Sequence, residues 1–437
     1  MLWVAQVTYE TAFSFALPFV PLFINQELGV SDPREAGLWA GAMAGGFSVA
    51  MATLGPVWGS LADRFGRKLM IQRVMFGACV VIGSMSLVQS PQQLLVLRVI
   101  QGGLTGLVAA LTTFVSLIVP QRRLASTLGL MQAALFTGGT LGPLLGGVFA
   151  DRFGYRAAFA ATSVVFVASG LLVTIFVREP ARDDPHPSSL PEGEGVAKPL
   201  PLGEAGEGAR SGGEEARRGP APGRRAGDGR LIGPELLAVI FLSVAIRFAN
   251  NAPLPLLPLF VQQLDDDRTH VGATVGAVVA ATGVASMVSA LLVGRLADRF
   301  GRWATLLVCL LAATGLAPLH AAASTVWQLL IVRTLMGLAL GGMTPSLQAV
   351  LTDVTPPSRR GAAFGWLATA GAIGNGGGPM AGSAIAAAFG IPAVFVATAP
   401  MFLLGAVVLA RLPRVSGGTA PAGDEPLPYG VSTSRRA

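Results

Sequence analysis

The sequence predicts an all-α integral membrane protein whose twelve transmembrane helices form two parallel-repeat six-helix bundles. Three observations carry this. Of the 437 residues, 52% are hydrophobic and only 13% charged, with a mean hydropathy of +0.61; a soluble surface needs about twice that charge. Apolar runs long enough to cross a bilayer recur along the chain. Short motifs return at a nearly fixed offset.

The apolar runs lie near 2–25, 36–58, 69–88, 92–119, 124–149 and 156–177, then near 236–263, 270–293, 303–321, 326–351, 361–388 and 391–411. They are numbered spans 1 to 12. Residues 2 to 24 read as a span rather than a cleavable signal, because they are too long for a signal core and hold Glu10; a start a few residues further upstream stays open. The expected domains are a first bundle over 1–177, a linker over 178–234, a second bundle over 235–412 and a tail over 413–437. The linker is rich in Gly, Pro, Arg and Glu without hydrophobic periodicity, so it reads as a disordered tether, as does the tail.

The net charge of +7 does not point to nucleic acid, because the basic residues sit at span ends and in the linker rather than on one continuous face. They set topology instead. Arg64, Arg67, Lys68, Arg73, Arg122, Arg123, Arg295, Arg299, Arg302, Arg359, Arg360, Arg411 and Arg414 fall on one side, with the linker arginines. Glu27, Asp32, Glu35, Asp151, Asp265, Asp266 and Asp267 fall on the other, with Arg34, Arg152, Arg156 and Arg268. The first side is expected to be cytoplasmic, with both termini, in a plasma or inner membrane. Cys79 and Cys309 lie singly in apolar runs and read as packing residues.

The repeat is explicit. Gly59-Ser-Leu-Ala-Asp-Arg-Phe-Gly-Arg67 returns as Gly294-Arg-Leu-Ala-Asp-Arg-Phe-Gly-Arg302, an offset of 294 − 59 = 235. Arg98 maps to Arg333 by the same offset, Gly142-Pro143 to Gly378-Pro379 at 236, and Pro18-Phe-Val-Pro21 to Pro255-Leu-Leu-Pro258 at 237. Six spans per copy give both halves the same orientation, with a pseudo-two-fold axis along the membrane normal.

Gly59-Ser60-Leu61-Ala62-Asp63-Arg64-Phe65-Gly66-Arg67-Lys68 closely resembles the signature loop between the second and third helices of the major facilitator superfamily. Pro18-Phe-Val-Pro21-Leu-Phe23 also resembles bacterial twelve-helix drug/proton antiporters of the multidrug efflux type. The resemblance covers nearly the whole chain except linker and tail. It implies that Gly59, Asp63, Arg64, Gly66, Arg67 and Lys68 form a gating latch, repeated by Gly294, Asp298, Arg299, Gly301 and Arg302. A turn plus cytoplasmic charge is the plainer alternative. Gly66 suits a backbone with positive φ. Family latches engage an acid at the end of the fourth helix of the same half. Asp353 is placed for that in the second half, whereas Ile118-Val-Pro-Gln-Arg122 offers none in the first.

Span 5 carries Gly129, Gly138, Gly142, Pro143, Gly146 and Gly147 at the spacing of the family's antiporter motif, which implies export. Physically the pattern lets another helix pack closely and the span bend, and ordinary small-residue packing reads the same way. Span 11 repeats it, with Ser383 in the last position.

Three charged residues are candidates for proton coupling. Glu10 is a carboxylate inside an apolar span, able to take up a proton. Its repeat mate is Arg247, 247 − 10 = 237, so an interaction of the two across a central cavity is expected, as a proton site or a fixed ion pair. The family ties the residue matching Arg98 to proton transfer; at roughly 1.5 Å per residue Arg98 can also snorkel to the interface. Phe13, Ser14 and Leu17 follow Glu10 at helical spacing, Asn250 and Asn251 follow Arg247, and Gln101 and Thr105 follow Arg98; these are the substrate-cavity candidates, with Phe15 and Phe248.

The expected activity is secondary active transport: proton-coupled export of small amphipathic or lipophilic compounds by alternating access. Its partners are the lipid bilayer, the substrate and protons, and a monomer suffices because one chain holds both halves. No cofactor is expected beyond the proton as coupling ion. Transport of a polar metabolite such as a sugar is the alternative, resting on Asn250, Asn251, Gln101 and Thr105. A transport-inactive sensor is a lesser one. An enzyme is not expected: the chain holds no HExxH, no intramembrane carboxylate dyad and no Walker phosphate loop.

Overall fold

Inside a bilayer every backbone N–H and C=O must be satisfied by the segment itself, which leaves helices as the solution for single apolar runs. The computed structural model describes residues 2–105, 121–176, 233–265, 269–356 and 359–412, and every regular element among them is helical. Most of the linker, the tail, the later part of span 4 and residues 266–268 lie outside the described residues.

Ten of the expected spans are helices long and apolar enough to cross a membrane, among the described residues. Span 4 is described over Pro91–Leu104 only. Span 11 is a continuous helix, Arg360–Phe389, whose eight glycines between 361 and 388 hold its hydropathy down. Several helices overrun the apolar runs: span 2 covers Pro33–Phe65 and span 5 covers Gln121–Phe153. Spans 3, 6, 8, 9, 10 and 12 are Arg67–Met85, Tyr155–Phe176, Val271–Phe300, Arg302–Ala321, Val326–Val354 and Ile391–Arg411.

Spans 1 and 7 are not the uninterrupted helices that hydropathy suggests. Span 1 runs Leu2–Ala16, a 3-10 turn Leu17–Phe19, then Val20–Glu27; span 7 runs Pro234–Asn251, a turn Leu254–Leu256, then Leu257–Leu264. Pro18 and Pro21 in one, and Pro253, Pro255 and Pro258 in the other, remove backbone donors, so the helix tightens and restarts.

The packing obeys the repeat. Span 1 packs on spans 5 and 6, as span 7 does on 11 and 12; span 2 packs on 4, as 8 does on 10; span 3 packs on 4 and 6, as 9 does on 10 and 12. The halves meet along two seams that exchange under the same symmetry, span 2 with 11 and span 5 with 8. One buried apolar cluster crosses between halves through residues such as Ala252, Val275 and Phe395, toward the end of the molecule that holds Asp151. A second, around Leu306, Met343 and Leu351, stays within the second half toward the Arg302 end. Outward faces are apolar: Leu87 is 77% exposed, Trp327 75% and Phe389 78%, surface that only lipid covers without cost.

Candidate functional site

The spans that meet at the two seams enclose connected cavities. One of them, about 540 Å³, is walled by Leu135, Phe136, Gly139 and Thr140 of span 5. Its other walls are Arg247, Asn250, Leu254 and Leu257 of span 7, Val279, Thr282 and Ser286 of span 8, and Arg333, Thr344 and Gln348 of span 10. A second, about 300 Å³, holds Phe13, Ser14, Leu17, Arg98 and Pro143, and shares Gly139, Leu254, Leu257 and Val279 with the first. A third, about 370 Å³, shares Arg247, Thr344 and Gln348 with the first and reaches Phe364, Leu367 and Asn375 of span 11. The lining therefore comes from both halves.

One end is shut by close contacts at both seams. Gly147 of span 5 lies against the carbonyl of Gly272 on span 8, and Gly276 against the carbonyl of Pro143, so closely that a Cβ at either would overlap it. The symmetric seam brings Gly41 against Ser383 and Pro379, and Gly45 against Met380. Asp151 adds a charged clasp to the first seam. Its carboxylate accepts from the backbone N–H of Gly272 (2.8 Å) and of Ala273 (2.6 Å), at the first turn of span 8. Those donors have no partner within their own helix, and the helix N-terminus favours negative charge. Toward the Arg302 end the seam of spans 2 and 11 parts: a Cβ at Gly55, Gly361, Gly365 or Gly371 would meet nothing within 4 Å.

This is two six-helix halves around a central cavity, and comparison with known proteins assigns it. The Major Facilitator Superfamily profile matches residues 2–312 and 239–433. The chain belongs to the major facilitator superfamily. A multidrug resistance protein MdtG of Enterobacter lignolyticus is 30% identical over 424 residues, covering 97% of this chain and 94% of its own. That of Dickeya zeae is 31% identical over 408 residues, covering 92% and 91%. Among solved structures, a bacterial homologue of the human lysosomal transporter Spinster, inward-facing and occupied, aligns with a TM-score of 0.71 at 16% identity over 94% of both chains. The nucleoside transporter NupG aligns at 0.68 and 12% identity, over 94% of this chain and 99% of that one. Membership makes this a multi-pass membrane transporter of small molecules rather than an enzyme.

The glycines of span 5 at 138, 142 and 146 are the surface on which span 1 packs. A Cβ at Gly138 would overlap that of Glu10, one at Gly142 would sit 2.7 Å from the Ser14 Cβ, and one at Gly146 would overlap the Phe15 carbonyl. Span 11 repeats this on span 7: Gly374 lies under Arg247, Gly378 under Phe248 and Gly382 under Ala252. Pro143 lines the 300 Å³ cavity without interrupting its helix, and Gly129 lies on the same helix.

Glu10 and Arg247 thus occupy equivalent seats, and no ion pair joins them. Glu10 accepts a hydrogen bond from Gln6 Nε2 (3.1 Å), one turn back on its own helix. Symmetry mates lie on opposite sides of the axis, and each is held by its own half's glycines. Arg247 faces the two larger cavities, whereas Glu10 is not among the lining residues. Arg98 donates to Gln101 Oε1 (2.7 Å) and lies over the Phe47 ring at 5.1 Å.

Helix rotation divides the other candidates. Phe13, Ser14, Leu17 and Asn250 line the cavities. Phe15 packs on Phe149 at 5.6 Å, and Phe248 lies beside Gly377. Gln101 is buried, Thr105 Oγ1 donates to the Gln101 carbonyl (2.9 Å), and Asn251 Nδ2 donates to Asn375 Oδ1 (2.9 Å) and the Arg247 carbonyl (2.7 Å). Arg333, Thr344 and Gln348 are lining residues that the sequence reading did not select. The offset from Arg98 was a signal for Arg333.

At the signature loops, Gly66 and Gly301 take φ of 93° and 90°, which turns span 2 into 3 and span 8 into 9. Arg302 pairs with Asp353 at 2.7 Å. In the first half, among the described residues, Lys68 Nζ donates to the Thr174 carbonyl (3.0 Å) and Arg73 lies over Trp58 at 3.4 Å. Arg299 lies over the Phe300 ring at 5.5 Å. Gly59 and Gly294 lie on helices, and the side chains of Asp63, Arg64, Arg67 and Asp298 lie outside the described residues.

Proposed function

We propose that this transporter exports amphipathic or lipophilic small molecules from the cytoplasm in exchange for protons, by alternating access. The carrying observation is the cavity between the halves, closed at the Asp151 end by close contacts at both seams and parted at the other along spans 2 and 11. The excess of Arg and Lys at the Arg302 end supports placing that end, and both termini, in the cytoplasm. The arrangement is then the inward-facing state, and rocking one half against the other would break the seams and expose the cavity to the opposite side. Relatives named as multidrug resistance proteins support efflux, and the intact motif on span 5 supports antiport.

Glu10 is the proposed proton carrier. It sits between spans 1 and 5, against Gly138, so a change in its charge acts on a helix that also forms the seam with span 8. The polar-metabolite reading draws less support. Of its four polar residues only Asn250 lines a cavity; Asn251 is bonded to Asn375, Gln101 to Arg98 and Thr105 to the backbone.

The test uses purified protein in liposomes with an imposed proton gradient, following amphipathic fluorescent dyes of both charges together with internal pH. Dye movement matched by proton counterflow is expected. Absence of both for every dye would end the export reading and send the search to specific metabolites.

A further inference from the structure

The cavity walls carry charge of one sign. Arg98, Arg247 and Arg333 line them, and among the described residues no Asp or Glu does in any of these three cavities. Arg98 is already engaged by Gln101 and Phe47. The other two are not. Arg333 is 4% exposed, its Nε has no hydrogen-bond partner, and no ion pair forms at it among the described residues. Arg247 likewise has no ion pair among them, since its repeat mate Glu10 is turned to Gln6. Behind Arg333 stands a small pocket with His320, whose Nδ1 meets the Leu316 carbonyl, and no acid closes it from that side.

A buried guanidinium is costly without a counter-charge, and Arg offers planar, bidentate recognition of oxyanions. Neutral donors stand beside it: Asn250 and Gln348 line the same cavity. Two of the hydroxyls there are spent on main chain, Ser286 on the Gly337 carbonyl and Thr282 on that of Val278. Opposite lies an apolar wall of Leu135, Phe136 and Val279.

We propose that Arg247 and Arg333, with the amides of Asn250 and Gln348, form an anion subsite in the second half's wall of the cavity. It takes the carboxylate, sulfonate or phosphonate of an amphipathic molecule whose apolar body rests on span 5. This deepens the export reading and rests on it for direction; the subsite itself does not need a gradient.

The probes are 1-pyrenebutyrate, its neutral amide, and the cationic pyrenebutyl-trimethylammonium. They are titrated onto the full chain in phosphatidylcholine nanodiscs, where no anionic lipid competes, with Trp-to-pyrene energy transfer reporting only protein-bound probe. Native protein should bind the carboxylate about tenfold more tightly than the amide, the usual scale of a charged hydrogen bond, and the cation more weakly than either. Arg247→Gln and Arg333→Gln, each confirmed folded by cooperative melting, should each cut that preference several-fold. If Arg333→Gln fails to fold, Arg247→Gln decides alone. Equal or tighter binding of the cation by native protein overturns the subsite, as does an anion preference that survives in every folded variant. Anion preference without gradient-driven movement of any probe keeps the subsite and ends the export reading; export of the cation alone does the reverse.

Discussion

Glu10 and Arg247 hold equivalent seats, the first over Gly138 and the second over Gly374, each on the helix that packs against a glycine-rich span of its own half. The backbone geometry matches and the charges are opposite. Among the described residues, the ion pairs at the span ends are distributed just as unequally. The first half ties Glu27 to Arg156 at 3.2 Å near the Asp151 end, with Arg156 also donating to the Ser86 and Val88 carbonyls. The second ties Arg302 to Asp353 at the other end. Duplication has kept what close packing requires, small residues under a passing helix, because a Cβ there has nowhere to go. It has let charges diverge, because a side chain that clears the glycines can change its charge without disturbing the packing beneath it.

That comparison can be broken at its strongest point first. Gly146→Ala drives a Cβ into the Phe15 carbonyl and Gly382→Ala one into that of Ala252, so each should cost about 3 kcal/mol or more and sharply lower the melting temperature. Gly139→Ala, with nothing within 4 Å, should melt like native protein. If Gly382→Ala is tolerated while Gly146→Ala is not, the halves are not packed alike.

The next effect is on coupling. In the liposome assay Glu10→Gln should lower proton counterflow at least about tenfold. Counterflow that survives would leave antiport standing and remove Glu10 as its carrier.

A smaller effect is expected at the one seam that carries a clasp. Asp151→Asn exchanges a charged acceptor for a neutral one, worth about 1 kcal/mol, or roughly a fivefold shift toward separation of that end. Spin labels at Phe153 and Phe389, on a chain lacking Cys79 and Cys309, would read the longer distance; an unchanged distribution would mean that the glycine contacts alone hold the seam. Least of all, Asp353→Asn should change stability by under about 1 kcal/mol, because the Arg302 and Asp353 side chains are 46% and 28% exposed and water screens the pair. A large melting shift there would give the latch of the second half a weight that its geometry does not suggest.

The spans, the repeat and the turn glycines were legible in the sequence because each answers a constraint with few solutions. A bilayer sets span length, and a tight turn between long helices selects Gly66 and Gly301. Rotation of each helix about its axis was not legible, because span faces differ little in polarity when lipid and core are both apolar. Phe13 and Phe15 are two residues apart, yet one lines a cavity and the other packs on Phe149. The Glu10–Arg247 pairing failed for a different reason: a shared offset identifies symmetry mates, and a two-fold axis keeps such mates apart unless they sit on it. Asn251 looked available for substrate only because Asn375, its partner, is 124 residues away in sequence.

The contact of Gly147 with Gly272 has a consequence for economy in the membrane. Where two side chains close a pathway, each rotamer flip opens a transient gap. Two apposed main chains have no rotamers, so a gap there requires whole helices to move apart. Hydronium leakage along the seam of spans 5 and 8 should then be limited by slow movement of whole helices, not by fast local fluctuation. Such a carrier can sit in an energised membrane at high copy number without draining it.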